Sequence, residues 1–540
     1  MGCYQSCAKH TGPTNAERAL LGVNAAFLEN LKLRLHRKFG RAYLDLTTTE
    51  ICTQYVMPLT EARACAWVDL LLKDPVDKFN LAPATVFVSH AWKYSFATTV
   101  DTILRHEFRE APGAYYWIDL IPNNQHIATN LPYEWWCNTF QENIKRIGRV
   151  LLVMSPWRDP IPMTRAWCLF EMMNALHGKV QLDIRLPEAE VDGFVEALAD
   201  NHNEVMDMLV RVEAQKAEAF KASDRDMIFK TVEETVGFPE LNTKIKAQLR
   251  AWCLEQALVA VRNRESEDGK SMKFAHFCNQ VGLVLSAFGE LDKALEISIK
   301  ALEICLATRG EEHIHTATMY NRVGVIYRQQ HEYEQALEYH DKALKITLNS
   351  QGEEHLSTAS TYNNMALVHN NLKQYESALE YYDKALKIML ATLGEEDENT
   401  AGAYNNIATV LKSQREYVKA TAYYSKALKI LLLKMGEKHP STAAAYNNMA
   451  IMYKKQGQYE QALEHYDKAS IIWTAVLGEE HPRTVSAVCN QAMAYQSQGQ
   501  QEQALEHYRK ALRIRKRTLG MEHADTRRVQ KAIDKLEASS

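Results

Sequence analysis

Two rhythms of apolar and polar residues divide the chain. From residue 272 onward, apolar residues recur at helical spacing in paired segments. A glycine follows each pair at a fixed period of 42 residues, at Gly310, Gly352, Gly394, Gly436, Gly478 and Gly520. This period predicts a solenoid of six helix–turn–helix repeats over residues 272–519, with residues 520–540 forming a polar capping helix.

The first half has short β-branched or apolar runs that alternate with amphipathic helical segments. Four runs read as strands: TVFVS (85–89), AYYWID (114–119), RVLLVMS (149–155) and VQLDIRL (180–186). Such alternation with short connections predicts an α/β, doubly wound parallel sheet over residues 81–187. Residues 15–80 and residues 188–262 read as helices, which predicts a helical N-terminal region and a helical connector.

Composition narrows the classes of function. A formal net charge of −4 argues against a dedicated nucleic-acid binder, which normally has a basic bias. The ten cysteines include no CxxC pair, so we expect free thiols and no structural metal site. No apolar run reaches the length of a membrane span.

The first residues, MGCYQSC, match the pattern for N-myristoylation, with Gly2 after the initiator methionine and Ser6 at the second required position. Cys3 lies beside this site and is a candidate for palmitoylation, and two acyl chains hold a protein on a membrane far better than one. We therefore expect residues 1–14 to be a lipidated segment that attaches the protein to the cytoplasmic membrane face. The alternative is an accidental match.

Polar and aromatic residues follow the predicted strands where each one ends. In parallel α/β sheets this edge binds ligands, so we expect these side chains to line one site for a small planar molecule. The alternative is that the indole rings are packing residues and that the glutamate lies in the first turn of a helix. The candidate residues are Ser89, His90, Trp92, Lys93, Asp119, Arg165, Trp167 and Glu171.

The motifs VFVSHAW, WID, VLLVMSP and W-x-x-x-E, in this order, resemble a TIR domain, and WIDLIPNNQ with R-x-W-x-x-x-E also resembles the related HET domain. The TIR resemblance implies a flavodoxin-like sheet, self-association and cleavage of NAD⁺, which is then a substrate and not a cofactor. It implies that Glu171 is catalytic beside Trp167, and that Ser89, His90, Trp92 and Lys93 contact the nucleotide. The first loop lacks the arginines often found in this family.

One carboxylate suits this chemistry. Nicotinamide leaves NAD⁺ as a neutral molecule, so its departure needs no general acid. Cleavage of the glycosidic bond builds positive charge on the ribose, which a fixed Glu171 would stabilise.

The repeats resemble the tetratricopeptide repeat in its 42-residue form, as in kinesin light chains. One asparagine per repeat falls at an inner-groove position of the first helix, where its amide is suited to pair with a peptide backbone, and basic residues one or two turns later favour an acidic partner. The alternative is that the asparagines bond to the backbones of neighbouring repeats. The candidate peptide-binding residues are Asn279, Asn321, Asn363, Asn405, Asn447, Arg328, Lys412 and Lys454.

Together these features predict a membrane-tethered signalling protein in which a TIR-like NAD⁺ glycohydrolase is controlled by a protein or acidic peptide bound to the repeats. Two alternatives remain open at this point. One is a non-catalytic scaffold whose TIR-like domain only self-associates, and the other is a cargo adaptor like a kinesin light chain.

Overall fold

The computed structural model divides the chain into two compact units, Met1–Ala257 and Leu258–Ser540. None of the helices in the described part of the chain is long and apolar enough to cross a bilayer. The predicted lipidation sites Gly2 and Cys3 lie outside the described residues. The structure describes residues 15–127, 131–201, 203–211, 213–219, 221–479 and 481–538.

The first unit contains a six-stranded sheet in the order β2-β1-β4-β3-β5-β6. Strands β3 to β6 run parallel to one another, and within the sheet they lie in the order β4-β3-β5-β6, which is 2-1-3-4 when the four are numbered along the chain. Apolar runs such as Arg149–Val153 form the buried centre, as expected for strands covered on both faces. The strands are β1 (Leu21–Val23), β2 (Leu81–Pro83), β3 (Val86–Ser89), β4 (Tyr116–Trp117), β5 (Arg149–Val153) and β6 (Gln181–Arg185).

The sheet is mixed, which corrects the prediction that it is wholly parallel. β1 pairs antiparallel with both β2 and β4, and it comes from residues 15–80, which were predicted to be helical. The prediction missed β1 and β2 because three residues are too few to establish an alternating pattern. The boundary at residue 80 does not separate two cores, because one hydrophobic cluster joins Leu28 and Trp67 to Val86 and Val153.

Helices surround this sheet, and several begin where the sequence predicts. Thr47 caps α3 and forms a capping box with Glu50, as its threonine-rich sequence suggests. The helices of this unit, with the last continuing past its boundary, are α1 (Asn15–Arg18), α2 (Ala25–Phe39), α3 (Thr48–Ile51), α4 (Met57–Thr60), α5 (Trp67–Leu71), α6 (Phe96–Glu110), α7 (Tyr133–Ile147), α8 (Ala166–His177), α9 (Glu188–Asp200), α10 (Asn203–Arg211), α11 (Ala222–Thr235) and α12 (Phe238–Asp268).

The second unit consists of paired helices whose bounds match the predicted repeats. Its last helix, α25, occupies the predicted capping segment. The helices are α13 (Met272–Ala287), α14 (Leu291–Arg309), α15 (Ile314–Gln329), α16 (Tyr333–Gln351), α17 (Leu356–Asn371), α18 (Tyr375–Thr392), α19 (Glu398–Ser413), α20 (Tyr417–Met435), α21 (Pro440–Lys455), α22 (Tyr459–Leu477), α23 (Pro482–Ser497), α24 (Gln501–Leu519) and α25 (Ala524–Glu537).

The glycine at the end of each repeat begins a recurring motif, GEEH or a close variant of it, which builds the junction between repeats. Gly352 ends α16 at a φ of 88°, a conformation that side chains disfavour. His355 then caps α17, its Nδ1 accepting from the backbone N–H of Ser357 at 3.1 Å. The buried Thr358 hydroxyl donates to the carbonyl oxygen of Gly352 at 2.9 Å, which closes the turn. The threonine bond recurs at Thr316, Thr400, Thr442 and Thr484, so the same closed turn returns every 42 residues.

Small residues allow the two helices of each repeat to pack closely. The alanines at one position of the second helix are all fully buried, so their helices approach without a large side chain between them. These alanines are Ala336, Ala378, Ala420, Ala462 and Ala504.

Candidate functional site

A cavity of about 470 Å³ lies where β3 and β4 end and α8 begins. Part of its wall is aromatic and consists of the ring systems of Trp92, Trp117, Trp136, Phe140 and Trp167. More than half of the lining residues are polar or charged. Aromatic rings beside directional polar groups are typical of sites for planar ligands.

Glu171 is the acid at the centre of this arrangement. The residue is 8% exposed, and its carboxyl accepts a hydrogen bond from the Ser89 hydroxyl at 2.5 Å, joining α8 to the end of β3. Burial raises the pKa of Glu171 to about 8, against the opposing effect of the Ser89 hydrogen bond. The helix dipole acts most strongly on charged side chains in the first turn of a helix. Glu171 lies in the second turn of α8, so the predicted alternative of a first-turn glutamate does not describe it.

A second carboxylate, Asp119, faces the same cavity. The indole Nε1 of Trp92 donates to its Oδ2 at 2.6 Å, so the two candidates from different strands contact each other. Burial raises the pKa of Asp119 to about 6, although the hydrogen bond from Trp92 opposes the rise. Asp119 in turn raises the pKa of Glu171, because two negative charges in one cavity repel each other.

His90 is a neutral residue in this site. It is 6% exposed, and burial lowers its pKa to about 4, so that at pH 7 it carries no charge. Its Nε2 lies 3.1 Å from the hydroxyl of Thr48. His90 therefore contributes a neutral ring to the cavity wall. The positive charge in the lining comes from Arg165 and Lys221.

The structure brings together all but one of the predicted residues. Arg165 and Trp167 line the cavity with His90, Trp92, Asp119 and Glu171, and Ser89 lies directly behind Glu171. Lys93 is exposed and lies outside the lining. The backbone turns here, since the N–H of Tyr94 bonds to the carbonyl of Ala91 at 2.9 Å, so consecutive side chains point in different directions.

The loop after β5 faces away from this site. Trp157 is 1% exposed and packs edge-on against Phe194 of α9, with ring centroids 5.4 Å apart. Its backbone N–H and the hydroxyl of Ser155 both bond to Glu190. Only two of the three strand ends that were expected to converge therefore contribute loop side chains to the cavity, and the third anchors α9.

Several lining residues were not among the predicted ones. Thr49, Cys52 and Met57 come from the N-terminal helices, and Asp224 comes from the predicted connector. The backbone N–H of Thr49 bonds to the carbonyl of Trp92 at 3.2 Å, which places α3 against the loop after β3. These contacts span long stretches of chain and leave no local pattern.

Asn123 and Gln125 were also missed as site residues, although the quoted WIDLIPNNQ motif contains both. Both residues line the cavity. The motif was therefore a usable signal, and its polar end, not only its aspartate, belonged among the candidates.

One further cluster has metal-ligand chemistry. His106, Glu110 and Asp183 place donor atoms within 4.8 Å of one another. Both carboxylates are already paired, Asp183 with Arg149 at 2.5 Å and Glu110 with Arg185. Since these arginines neutralise the acidic groups, the cluster is better suited to joining α6 to the edge of the sheet than to holding a cation.

In the repeats, the predicted asparagines link neighbouring repeats through their carbonyl oxygens. Asn363 accepts from Nδ2 of Asn406 at 3.0 Å, and Asn405 accepts from Asn448 at 3.1 Å. The same bond joins Asn447 to Asn490, and Arg322 replaces the donor at Asn279. These links are between side chains, whereas bonds to the neighbouring backbone were the predicted alternative.

Asn321 departs from this pattern. Its Nδ2 donates to Thr361 and its Oδ1 lies 2.8 Å from Nδ1 of His340, so both ends of the amide are used. For Asn363, Asn405 and Asn447, in contrast, the structure gives Nδ2 no acceptor within the described part of the chain. Three amide N–H₂ groups thus remain available on successive first helices.

The predicted basic residues are half-buried. Burial lowers the pKa of Lys412 and of Lys454, and neither forms an ion pair with a described residue. The Nε of Arg328 is buried without a hydrogen-bond acceptor among the described residues. Cations that lose hydration without a counter-charge gain free energy when an anion binds.

A family model described as tetratricopeptide repeat matches residues 275–349, 357–432 and 441–517. No curated protein matches the chain. Among solved structures, BtubC (BKLC) from P. vanneervenii is 20% identical with a TM-score of 0.38, over 42% of this chain and 91% of that chain.

Two further structures have comparable similarity. A candidate kinesin light chain of Podosopora anserina with nearly identical TPR-like repeats is 22% identical with a TM-score of 0.36, over 38% of this chain and 99% of that chain. YrrB, a TPR protein with an unusual peptide-binding site, is 22% identical with a TM-score of 0.26, over 41% and 95%. From the family match and the paired helices that coincide with it, the C-terminal region of this chain is an all-α tetratricopeptide repeat solenoid.

Proposed function

We propose that residues 81–187 form a TIR-like domain that cleaves NAD⁺ into nicotinamide and ADP-ribose or a cyclic isomer. The observation that carries this proposal is the buried carboxyl of Glu171, hydrogen-bonded to Ser89 in a cavity lined by indole rings. The 2-1-3-4 order of the parallel strands supports it, because flavodoxin-like sheets begin in this order and bind ligands at the end of the first strand.

In this reaction the bond between ribose C1′ and the pyridinium nitrogen breaks, and its electron pair neutralises the nitrogen. Water forms the new bond to C1′ and releases one proton. The ribose carries positive charge between these events, and the carboxylate of Glu171 stabilises that charge. A preorganised contact of this kind contributes about 3–4 kcal/mol to the lowering of the barrier.

The charges in the cavity suit a substrate with one positive ring and a negative pyrophosphate. With its pKa raised to about 8, Glu171 is mostly protonated at pH 7 in the unliganded site. The pyridinium cation favours the carboxylate, so we expect binding of NAD⁺ to release a proton. Arg165 and Lys221 provide the positive charge that the pyrophosphate requires.

The proposal is tested by incubating the whole protein with NAD⁺, in solution and clustered on vesicles through an N-terminal tag, and by separating the products chromatographically. We expect nicotinamide release that falls at least about 100-fold in Glu171→Gln. Glu196→Gln, the same change at an exposed position of α9, is the matched control. If Glu171→Gln releases nicotinamide at the wild-type rate, the proposed role of Glu171 is wrong.

For the repeats we propose a regulatory role, in which they bind a protein or an acidic peptide. The support is that Lys412 and Lys454 are half-buried and form no ion pair with a described residue, and that Asn405 and Asn447 on the same helices have no acceptor for Nδ2 among the described residues. Clustering by such a partner, and membrane attachment through Gly2 and Cys3, would raise the local concentration of the TIR-like domain and favour its self-association.

A non-catalytic scaffold is the second candidate function, because a tetratricopeptide solenoid that binds proteins needs no enzyme to act as an adaptor. It would be favoured by assembly of the protein that survives Glu171→Gln while neither wild type nor variant releases nicotinamide.

A further inference from the structure

The loop that follows β4 contains two buried polar atoms that have no hydrogen-bond partner among the described residues. They are Oδ1 of Asp119 and Nδ2 of Asn123, and both side chains line the cavity. Asn123 is 5% exposed. Native structures leave few buried polar atoms unpaired, so two such atoms in one cavity point to a ligand that supplies the partners.

The protein holds this pair firmly. One oxygen of Asp119 is fixed by Trp92, which leaves only Oδ1 for another contact. The side-chain amide of Gln125 donates to the backbone carbonyls of both Asp119 and Asn123, at 3.1 and 3.3 Å, and so keeps the two residues close together. Asn124 anchors the loop through a bond to the carbonyl of Ala64 at 2.8 Å. The pair is therefore preorganised.

The chemistry of the pair defines its complement. A carboxylate oxygen accepts an N–H, and an amide nitrogen donates one, so the matching ligand edge carries an amino group next to an acceptor atom. Burial raises the pKa of Asp119 only to about 6, so the carboxylate is largely ionised at pH 7 and acts as the acceptor. NAD⁺ has two such edges, the primary carboxamide of nicotinamide and the amino-substituted edge of adenine.

The position of Asp119 favours the carboxamide. Asp119 and Glu171 line the same cavity, and Asp119 is close enough to raise the pKa of Glu171 electrostatically. Under the proposed function, Glu171 contacts the ribose whose bond to nicotinamide breaks, so the ring nearest to Glu171 is nicotinamide. We infer that Asp119 and Asn123 bind the primary carboxamide of the nicotinamide ring, Asp119 accepting from its amino group and Asn123 donating to its carbonyl oxygen. This inference rests on the proposed function.

Binding of three dinucleotides tests the inference. The Glu171→Gln protein, which should not consume the ligands, is titrated with NAD⁺, with its nicotinic acid analogue and with its hypoxanthine analogue, and heat of binding is measured. The nicotinic acid analogue places a carboxylate against Asp119, so we expect it to bind at least about 100-fold more weakly than NAD⁺. The hypoxanthine analogue, which changes only the adenine edge, should bind within about threefold of NAD⁺.

A second variant makes the test independent of folding losses. In a Glu171→Gln background, Asp119→Asn removes the negative charge and adds a donor, so the nicotinic acid analogue should bind more tightly and the 100-fold preference should fall below about tenfold. A gain of binding cannot come from a damaged fold. Asp192→Asn, the same change at an exposed position of α9, should leave the preference unchanged.

Three results would overturn the inference. The first is equal binding of NAD⁺ and the nicotinic acid analogue, and the second is weakened binding of the hypoxanthine analogue alone. The third is that no dinucleotide binds. A carboxamide preference in the Glu171→Gln protein, together with no nicotinamide release by wild type, would support the inference while the proposed cleavage failed.

Discussion

Replacing Glu171 with glutamine should stabilise the first unit at alkaline pH while it removes activity. The pKa of Glu171 is raised to about 8 in the folded protein, because burial disfavours its charged form. In the unfolded chain a glutamate has a pKa of about 4.3. A group with a raised folded pKa contributes its full stability below the unfolded pKa, and this contribution is lost as pH rises toward the folded pKa.

The size of the effect follows from the two pKa values. Between pH 5 and pH 8.5, the cost of keeping Glu171 in the fold grows by about 4 kcal/mol, from linkage at about 1.4 kcal/mol per unit of pKa shift. Glutamine has nearly the same shape, accepts the Ser89 hydrogen bond and does not titrate. Relative to wild type, we therefore expect Glu171→Gln to gain up to about 4 kcal/mol of stability over this pH range.

Urea denaturation monitored by tryptophan fluorescence measures this difference for the right part of the molecule. Of the nine tryptophans, only Trp473 lies beyond the first unit. Curves for wild type and Glu171→Gln are compared at pH 5 and at pH 8.5, with Glu196→Gln as the control that should match wild type at both. Equal destabilisation by Glu171→Gln at the two pH values would refute the reasoning. It would mean that Glu171 serves only as a structural hydrogen-bond acceptor and that its ionisation costs the fold no free energy.

Two further predictions concern rate and recognition. For NAD⁺ cleavage, kcat/KM should rise roughly tenfold per pH unit and level off above about pH 8, because the carboxylate of Glu171 in the free enzyme is the active form. Rates of nicotinamide release from pH 5.5 to 9.5 measure this profile. A rate constant that does not change with pH would contradict the prediction. In the repeats, Lys454→Glu should weaken binding of a fluorescent oligoglutamate peptide by about tenfold, whereas Lys455→Glu at the exposed neighbouring position should have little effect. Equal losses in both lysine variants would mean that only the overall charge matters.

The repeats were predictable almost to the residue because their structure depends on local signals. Each junction needs a glycine with positive φ, a capping side chain and a buried threonine, and these stand at fixed places in the sequence, as in Gly352, His355 and Thr358. The side-chain bonds between repeats were harder to assign. The sequence does not distinguish Asn405 from Asn448, because both carry the same amide side chain. Only the packed helices show that the nitrogen of Asn448 donates to the oxygen of Asn405.

In the first unit, the central strands and helices were predictable and the edge of the sheet was not. Long apolar or amphipathic segments such as Arg149–Val153 and Tyr133–Ile147 carry their own pattern. The strand Leu21–Val23 exists only because distant residues pair with it, so tertiary structure determines it. The same reason explains why Thr49 and Cys52 were not predicted to line the cavity.

The site also explains why a fold would retain a buried glutamate that costs stability. A glutamate that served only to join α8 to β3 would be replaced by glutamine with little loss, since the Ser89 hydrogen bond needs only an acceptor. The ionised form becomes useful when a positive charge occupies the cavity, and both Glu171 and Asp119 have pKa values raised by burial there. Strained ionisation of this kind is characteristic of functional sites, because the strain is relieved by a cationic ligand or transition state. Stability and cleavage should therefore respond in opposite directions to Glu171→Gln, and a variant that changed both in the same direction would place this carboxyl among the ordinary packing residues of the sheet.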